Sequence, residues 1–234
     1  MPTIEIICLA NSRKNSHHCI AGLRTDGNGW LRPIGTVADG SLYTSEITLQ
    51  DGTLPRPLDV IRIGCSAPGP RPHQPENWLI DRTGWQLVAR PAPPSVMPVF
   101  QSGATNGPEL LGGIGDRINY NDLLIHPAKS SLALIAPDNV RWRITTNKRG
   151  KRQTRACFSL KGASYDLVVT DPDWENRLNA LSEGFHAASS SGLDATDIPV
   201  FTISLGEPLD IGNCANQSCF KLIAGIMLLQ RKTS

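Results

Sequence analysis

The sequence predicts an all-β protein with a minor helical part, built as two small five-stranded barrels in tandem. Its 234 residues can bury a real core and fit one large domain or two small ones. Pro (18) and Gly (21) are frequent and aromatic residues are few, which is typical of short strands joined by turns. Each half of the chain also offers about five short runs with a strand-like pattern.

In the first half, a meander of three strands precedes several shorter ones. The run TIEIICLA has consecutive apolar residues, as expected of a strand that is buried on both faces. The polar stretch NSRKNSHH (11–18) is expected to be a loop, and TDGNG (25–29) a tight turn because Asp-Gly and Asn-Gly favour hairpins. The expected strands are TIEIICLA (3–10), CIAGL (19–23), WLRPIG (30–35), LDVIRIGC (58–65), NWLID (77–81) and WQLVA (85–89).

Proline-rich segments separate the two halves. Four prolines lie in 66–78 and four more in 90–98, and proline holds itself and the preceding residue in extended conformations. The glycine-interrupted stretch 108–124 leaves room only for a short helix. We therefore expect a first barrel at 1–90, a connector with a short helix at 91–127, and a second barrel at 128–234.

The second half adds one well-marked helix to a set of strands. Asp171 has the properties of an N-cap and Pro172 those of the first helical residue, while Trp174, Leu178 and Leu181 recur at helical spacing. A five-stranded barrel with a helix before its fourth strand has the plan of an OB-fold. FHAASSSGLDATD (185–197) is expected to be an exposed loop. The expected strands are SLALIAP (131–137), NVRWRITT (139–146), QTRACFSL (153–160), YDLVVT (165–170), VFTISLGEPL (200–209) and CFKLIAGIMLLQ (219–230).

Positive charge is concentrated in RWRITTNKRGKRQTR (141–155). Seven of its fifteen residues are Lys or Arg and none is acidic, so a chain with a net charge of +2 carries +7 here and about −5 elsewhere. Alternation predicts a basic β-hairpin with Trp142 and Ile144 facing the core and the tip at Gly150. OB-folds bind single strands on one barrel face and through the loop between their first two strands, which favours nucleic-acid contact over a merely solvated hairpin. The candidate contacts are Arg141, Arg143, Lys148, Arg149, Lys151, Arg152 and Arg155.

Two further motifs allow both a functional and a structural interpretation. In the first barrel, Arg13 and Lys14 are candidates for phosphate contacts, with Trp30 or Arg32 stacking on a base. Alternatively, Trp30 is part of the core and the loop is an ordinary turn. HQPENW (73–78) could supply general acid–base chemistry from its His and Glu, but the surrounding prolines favour a structural clasp.

Other functional classes lack their sequence signals. Phosphate-loop, dinucleotide-binding, GxSxG and HExxH motifs are absent. The six cysteines are expected to be reduced and partly buried, and the loosely spaced Cys214 and Cys219 do not make a zinc site. We expect no metal and no cofactor. The N-terminus lacks the layout of a signal peptide and no apolar run is long enough to span a membrane, so we expect a cytoplasmic protein without a membrane partner.

Seven segments spread over nearly the whole chain carry a resemblance to a known family. They are IICLANSRKNSHHCIAG (6–22), GWLRPI (29–34), LDVIRI (58–63), HQPENWLID (73–81), VVTDP (168–172), ISLGEP (203–208) and CFKLIAGI (219–226). Together they resemble the dual OB-fold domain family of bacterial proteins. This resemblance implies two tandem OB-folds with a nucleic-acid-binding or sensing role in bacterial defence, and it implies no catalytic residues.

We therefore expect a non-enzymatic nucleic-acid-binding module. The alternatives are a subunit that docks on an acidic protein partner in a nucleic-acid-processing complex and, less favoured, a hydrolase or nuclease centred on His73 and Glu76.

Overall fold

A computed structural model shows that the residues it describes form strands, three short α-helices and one 3-10 helix. It describes residues 2–14, 16–91, 104–105, 107–194, 197–210 and 217–230. Most of the predicted proline-rich connector at 90–98 lies outside these ranges, as does Cys214. The predicted all-β class with a minor helical part is confirmed. The boundaries 1–90, 91–127 and 128–234 stay a prediction.

The first barrel is a closed five-stranded OB-fold. Its strands pair in the order β1-β2-β3-β5-β4, and β4 pairs with β1 to close the ring. β3 and β5 are parallel, and helix α1 (Thr44–Ile47) lies between β3 and β4 in the chain. A sixth strand, β6, pairs with β4. These strands are β1 (Thr3–Lys14), β2 (His17–Arg24), β3 (Trp30–Ile34), β4 (Val60–Pro68), β5 (Asn77–Ile80) and β6 (Gln86–Ala89).

The second sheet has the same plan, but its hydrogen-bonded path is open. The order is β12-β9-β10-β11-β14-β13-β8, with β11 and β14 parallel and β7 pairing with β14 outside the path. β8 and β9 lie near opposite ends of this path although only residues 136–137 separate them in the chain. They therefore act as two parts of one first strand, interrupted at Pro137. The strands are β7 (Arg117–Asn119), β8 (Leu132–Ile135), β9 (Asp138–Thr146), β10 (Arg152–Leu160), β11 (Ala163–Val169), β12 (Gly184–Ala187), β13 (Asp197–Asp210) and β14 (Gln217–Gln230).

Two further helices belong to the second half. α2 (Tyr120–Ile125) is the short helix expected near the connector. α3 (Pro172–Arg177) begins as predicted, because the Asp171 carboxylate accepts hydrogen bonds from the backbone N–H groups of Asp173 and Trp174. Trp174 is buried in the core of the second barrel. Among the described residues, none of the helices has both the length and the apolar character needed to cross a lipid bilayer.

Two of the expected loops are in fact strands. The stretch 11–18 belongs almost entirely to β1 and β2, which pair up to Lys14 and His17 and leave only residues 15–16 between them. Part of 185–197 forms β12 and a 3-10 helix (Ala188–Ser191) rather than an open loop, with 195–196 outside the described ranges. Both errors have the same cause: a stretch rich in polar residues looks like a loop when the strand that pairs with it is unknown.

β1 is buried on both faces, as its apolar run predicted. Ile6 and Cys8 point into the core of the first barrel, whereas Ile7 and Leu9 belong to a second cluster between the barrels. Residues of β8, β13 and β14 supply the other side of this cluster. Alternation along one strand therefore serves two cores, which explains why polar residues are missing from its centre.

The two barrels approach each other closely at the Leu9 carbonyl oxygen. It accepts a hydrogen bond of 2.7 Å from the Thr202 hydroxyl of β13. A β-carbon placed on Gly225 of β14 would lie 2.2 Å from the same oxygen, far inside van der Waals contact. Glycine is required here by the approach of another backbone and not by its own φ angle.

We therefore expect Gly225→Ala to separate β1 from β14 and to lower the free energy of unfolding by about 1–3 kcal/mol or more, as for other overpacked sites. Urea unfolding followed by circular dichroism measures this change. Gly84→Ala is the matched control, since the nearest atom to its added β-carbon is 3.9 Å away. Equal stability of the two variants would contradict the assignment.

Candidate nucleic-acid interface

The basic segment forms the predicted hairpin of β9 and β10. Trp142 is fully buried and Ile144 is 2% exposed, while Arg141 and Arg143 lie on the outer face. The indole N–H of Trp142 donates to the Ser191 hydroxyl at 3.0 Å, so the ring is anchored in the core. Trp142 is thus unavailable for stacking on a base, and the predicted division between core and surface is confirmed.

The hairpin tip holds three exposed cations of the segment. The side-chain oxygen of Asn147 accepts hydrogen bonds from the backbone N–H groups of Arg149 and Lys151, and Gly150 takes a φ of 72°. This closes the turn without using a cationic side chain. Lys148, Arg149 and Lys151 are exposed, and within the described ranges their side chains form no hydrogen bond or ion pair. We call these three residues the tip cations.

Three other arginines of the segment are tied to the protein itself. Arg143 and Arg155 both form ion pairs with Asp166 of β11, the second at 2.7 Å. Arg152 donates to the carbonyl oxygens of Leu178 and Leu181, at 2.9 and 2.8 Å, where the chain leaves α3. The charges of Arg143 and Arg155 are partly neutralised, and the Arg152 side chain is held in place. Only part of the segment's charge of +7 is therefore free to attract a ligand.

An aromatic residue lies beside this basic face. Phe185 of β12 is 59% exposed, and the guanidinium carbons of Arg141 and Arg143 lie 5.2 and 5.9 Å from its ring centre. Phe185 is not among the contacts predicted from the sequence, because a loop is expected at 185–197. The available signal was a single large aromatic residue in an otherwise small and polar stretch.

The first-barrel candidates Arg32 and Trp30 do not form a surface site. Arg32 is 7% exposed and donates to the hydroxyls of Ser131 and Ser204 on the second barrel, at 2.9 and 3.2 Å. Burial lowers the pKa of its guanidinium, and the charge of Glu76 offsets part of that effect. Trp30 packs against the apolar clusters between the barrels. The burial of Arg32 against the second barrel does not support its stacking on a base, whereas the role of the half-buried Trp30 stays a prediction.

Lys14 is paired with acidic side chains, whereas Arg13 lies exposed in a cleft. The Lys14 ammonium group lies 3.4 Å from Asp39 and 3.8 Å from Glu207 of the second barrel. Arg13 is exposed and lines a cleft of about 480 Å³ between the barrels, together with Arg56 and Asp173. None of the tip cations lines this cleft. The candidate nucleic-acid contacts of the first and second barrels therefore do not form one site around this cleft.

The HQPENW segment is a clasp between the barrels. It belongs to the loop that joins β4 and β5, and three of its side chains bond to the second barrel. Gln74 donates to the Leu205 carbonyl oxygen at 3.1 Å, and the Nε2 atom of His73 lies 3.1 Å from Glu207. Glu76 accepts from the Ser131 backbone N–H at 2.6 Å and from its hydroxyl at 2.8 Å. His73 is 2% exposed.

Glu207 is the charged centre of this clasp. His73, Arg71 and Lys14 approach its carboxylate from the first barrel. Burial acts to raise the pKa of Glu207, but the hydrogen bond from His73 and the charges of Lys14, His73 and Arg71 outweigh it and lower the pKa below 4.5. An ionised Glu207 therefore stabilises the contact between the barrels near neutral pH.

The five cysteines that the structure describes give no sign of a reactive thiol. Cys8, Cys65 and Cys219 are buried, and burial raises the pKa of Cys8 and Cys219 to about 12. Cys19 and Cys157 are also free thiols. No group of three or more His, Cys, Asp and Glu side chains is arranged to hold a metal ion in the part of the chain that is described. Whether Cys214 contributes to one lies outside these ranges.

The geometry defines a protein of two OB-type barrels with one basic, partly aromatic face on the second barrel. The chain belongs to the family of the dual OB-containing domain, which matches residues 4–226. The predicted family is thereby confirmed. No match was found among curated proteins.

Two solved structures are similar to the chain over nearly its whole length. One is a murine DNA-binding protein bound to double-stranded DNA, with 10% sequence identity, a TM-score of 0.33, and coverage of 99% of this chain and 100% of that one. The other is the Ifi202 HINa domain in complex with 20-base-pair double-stranded DNA. It has 9% identity, a TM-score of 0.35, and coverage of 98% of this chain and 97% of that one.

The clasp predicts an acid-dependent stability. A carboxyl group whose pKa is lowered on folding stabilises the fold above its usual pKa and loses that contribution as the pH falls through the lowered value. We expect Glu207→Gln to lower the free energy of unfolding by about 1–3 kcal/mol at pH 7, as for other hydrogen bonds to charged groups. Below pH 4.5 the difference from the unchanged protein should shrink. Urea unfolding at a series of pH values measures both effects.

Glu175→Gln is the control for this experiment. Burial raises the pKa of Glu175, with the charge of Arg13 acting in the opposite direction. Removing that charge should leave the stability at pH 7 unchanged or slightly higher. A Glu207→Gln variant as stable as the unchanged protein at pH 7 would show that the clasp does not depend on the carboxylate.

Proposed function

We propose that this protein binds nucleic acid, single-stranded or structured, through the β9–β10 hairpin of its second barrel. The observation that carries the proposal is the group of three exposed tip cations, Lys148, Arg149 and Lys151. They lie in the loop that joins the first two long strands of an OB-type barrel, and their side chains have no acidic partner among the described residues. This is one of the loops through which OB-folds commonly hold oligonucleotides.

Unpaired cations are suited to a phosphate backbone. Each one that meets a phosphate releases counterions from the nucleic acid, and no internal ion pair must be broken first. Arg141 extends the basic surface along β9, since it is exposed and its guanidinium lies over Phe185. Arg143 and Arg155 add a weaker field because Asp166 offsets them. At the base of the turn, the Thr146 hydroxyl donates a hydrogen bond to the Glu183 carboxylate.

The arrangement favours the second barrel over the first. In the first barrel the β4–β5 loop, another usual ligand-binding loop of OB-folds, carries the clasp residues and faces the second barrel. Lys14, beside the β1–β2 turn, is paired with Asp39 and Glu207. The corresponding hairpin of the second barrel projects its cations to solvent. We therefore propose that the loops of the first barrel pack against the second barrel, and that the hairpin of the second barrel contacts the ligand.

We also propose that the protein binds nucleic acid without catalysing a reaction. His73 and Glu76, the candidates for a hydrolase, are engaged in hydrogen bonds between the barrels, which does not support a catalytic role for them. We also propose a sensor or accessory role in a bacterial defence system, which the family resemblance supports, and a cytoplasmic location, as the sequence predicts. An acidic protein could use the same tip cations. A partner retained on the protein after nuclease treatment, and lost on replacing the tip cations, would favour that alternative.

Fluorescence anisotropy with a labelled oligonucleotide, measured over a range of salt concentrations, tests the proposal. If three to five phosphates are contacted, the slope of log K against log salt for a single strand should be roughly −2 to −4. Replacing Lys148, Arg149 and Lys151 together by Ala should reduce its magnitude by about 2, because each contact with a single strand contributes about 0.7.

The matched control is Arg82→Ala with Lys129→Ala and Lys161→Ala, three exposed cations outside the tip. It changes the net charge by the same amount, so a general charge effect would appear in both triple variants. The proposal is wrong if the unchanged protein fails to bind at low salt, or if the two triple variants weaken binding equally.

A further inference from the structure

We propose that Phe185, flanked by Arg141 and Arg143, is a stacking platform for an unpaired nucleobase, so that the hairpin prefers single-stranded nucleic acid to a duplex. This inference rests on the proposed nucleic-acid binding and adds the kind of strand that is bound. It concerns a residue on β12, a strand next to the basic hairpin rather than in it.

Phe185 is more exposed than packing within the barrel would require. Its side chain is 59% exposed, although it lies in a paired strand. A phenyl ring that only covered the edge of β9 would gain most by packing against the sheet. Other aromatic side chains of this barrel do so, for example Phe158 at 4% and Trp142 at 0% exposure. Packing within the barrel therefore does not account for Phe185.

The register of β12 on β9 places Phe185 on the same face of the sheet as the basic residues. β12 pairs with β9 so that Phe185 is opposite Arg143 and Ala187 is opposite Arg141. Side chains alternate between the two faces of a sheet, so Phe185, Arg141 and Arg143 share the outer face of the second barrel. Arg155, opposite Arg143 on β10, continues this face. The aromatic ring thus lies in the same surface as the hairpin cations.

The combination of an aromatic ring and guanidinium groups is suited to a nucleotide. A ring between two guanidinium groups offers a flat apolar surface for a base and positive charge for the phosphates on either side of it. The Asp166 carboxylate holds Arg143 through an ion pair, whereas the Arg141 guanidinium over the ring has no ion pair among the described residues, so a base can take its place. A base can stack on a protein side chain only when it is free of its own helix. Stacking here consequently selects unpaired strands, and it does so with little dependence on sequence.

The test compares Phe185→Ala and Phe185→Trp with the unchanged protein. The probes are a labelled mixed-sequence strand of about 20 nucleotides, longer than the site of one OB-fold, and the duplex of the same sequence. We expect the unchanged protein to bind the single strand more tightly than the duplex. Phe185→Ala should weaken single-strand binding by about 5- to 150-fold, which corresponds to one stacked base. Duplex affinity and the salt slope should stay nearly unchanged, and Phe185→Trp should retain single-strand binding.

Ile125→Ala is the matched control, since this side chain on α2 is 71% exposed and lies away from the hairpin. It should bind both probes as the unchanged protein does. If Phe185→Ala binds the single strand normally while the tip variant does not, nucleic-acid binding stands and the stacking platform is wrong. An equal loss on both probes also overturns it, because Phe185 then acts only by positioning the arginines. Absence of binding by the unchanged protein at low salt overturns both proposals.

Discussion

The contact between β1 of the first barrel and β14 of the second determines much of the remaining structure. The carbonyl oxygen of Leu9 meets the Thr202 hydroxyl and the bare α-carbon of Gly225, so the two backbones approach closely. Apolar side chains of both barrels pack around this point. A contact that involves backbone atoms leaves little freedom for the barrels to slide over each other.

The polar clasp follows from this packing. Once the barrels are in contact, Arg32 is buried and Glu76 is half-buried, and both side chains form hydrogen bonds across the interface. Ser131 serves both, because its hydroxyl lies within 2.9 Å of the Arg32 guanidinium and 2.8 Å of the Glu76 carboxylate. Glu207 has the corresponding role for Lys14, Arg71 and His73. The first barrel thereby uses for association the β4–β5 loop that a solitary OB-fold could offer to a ligand.

Much of the fold could be predicted from local patterns, because those patterns report which residues are buried. The consecutive apolar residues of β1 indicated burial on both faces, and Asp171 with Pro172 marked the start of α3. The alternation of Trp142 and Ile144 with arginines fixed the faces of the hairpin. The candidate site was predicted less completely. The positions of Arg32, Phe185 and Asp166 relative to other residues depend on strands that are distant in the chain, and no local pattern records such pairings.

The sequence by itself determined where the positive charge lies and which side of β9 carries it, since composition and the two-residue repeat of a strand suffice for both. Only the tertiary structure decided which charges are free. Asp166 comes beside Arg143 and Arg155 through the pairing of β9, β10 and β11, and the carbonyl groups after α3 engage Arg152. The tip cations remain unpaired within the described ranges because a turn projects beyond the last paired residues, out of reach of the sheet's own acids.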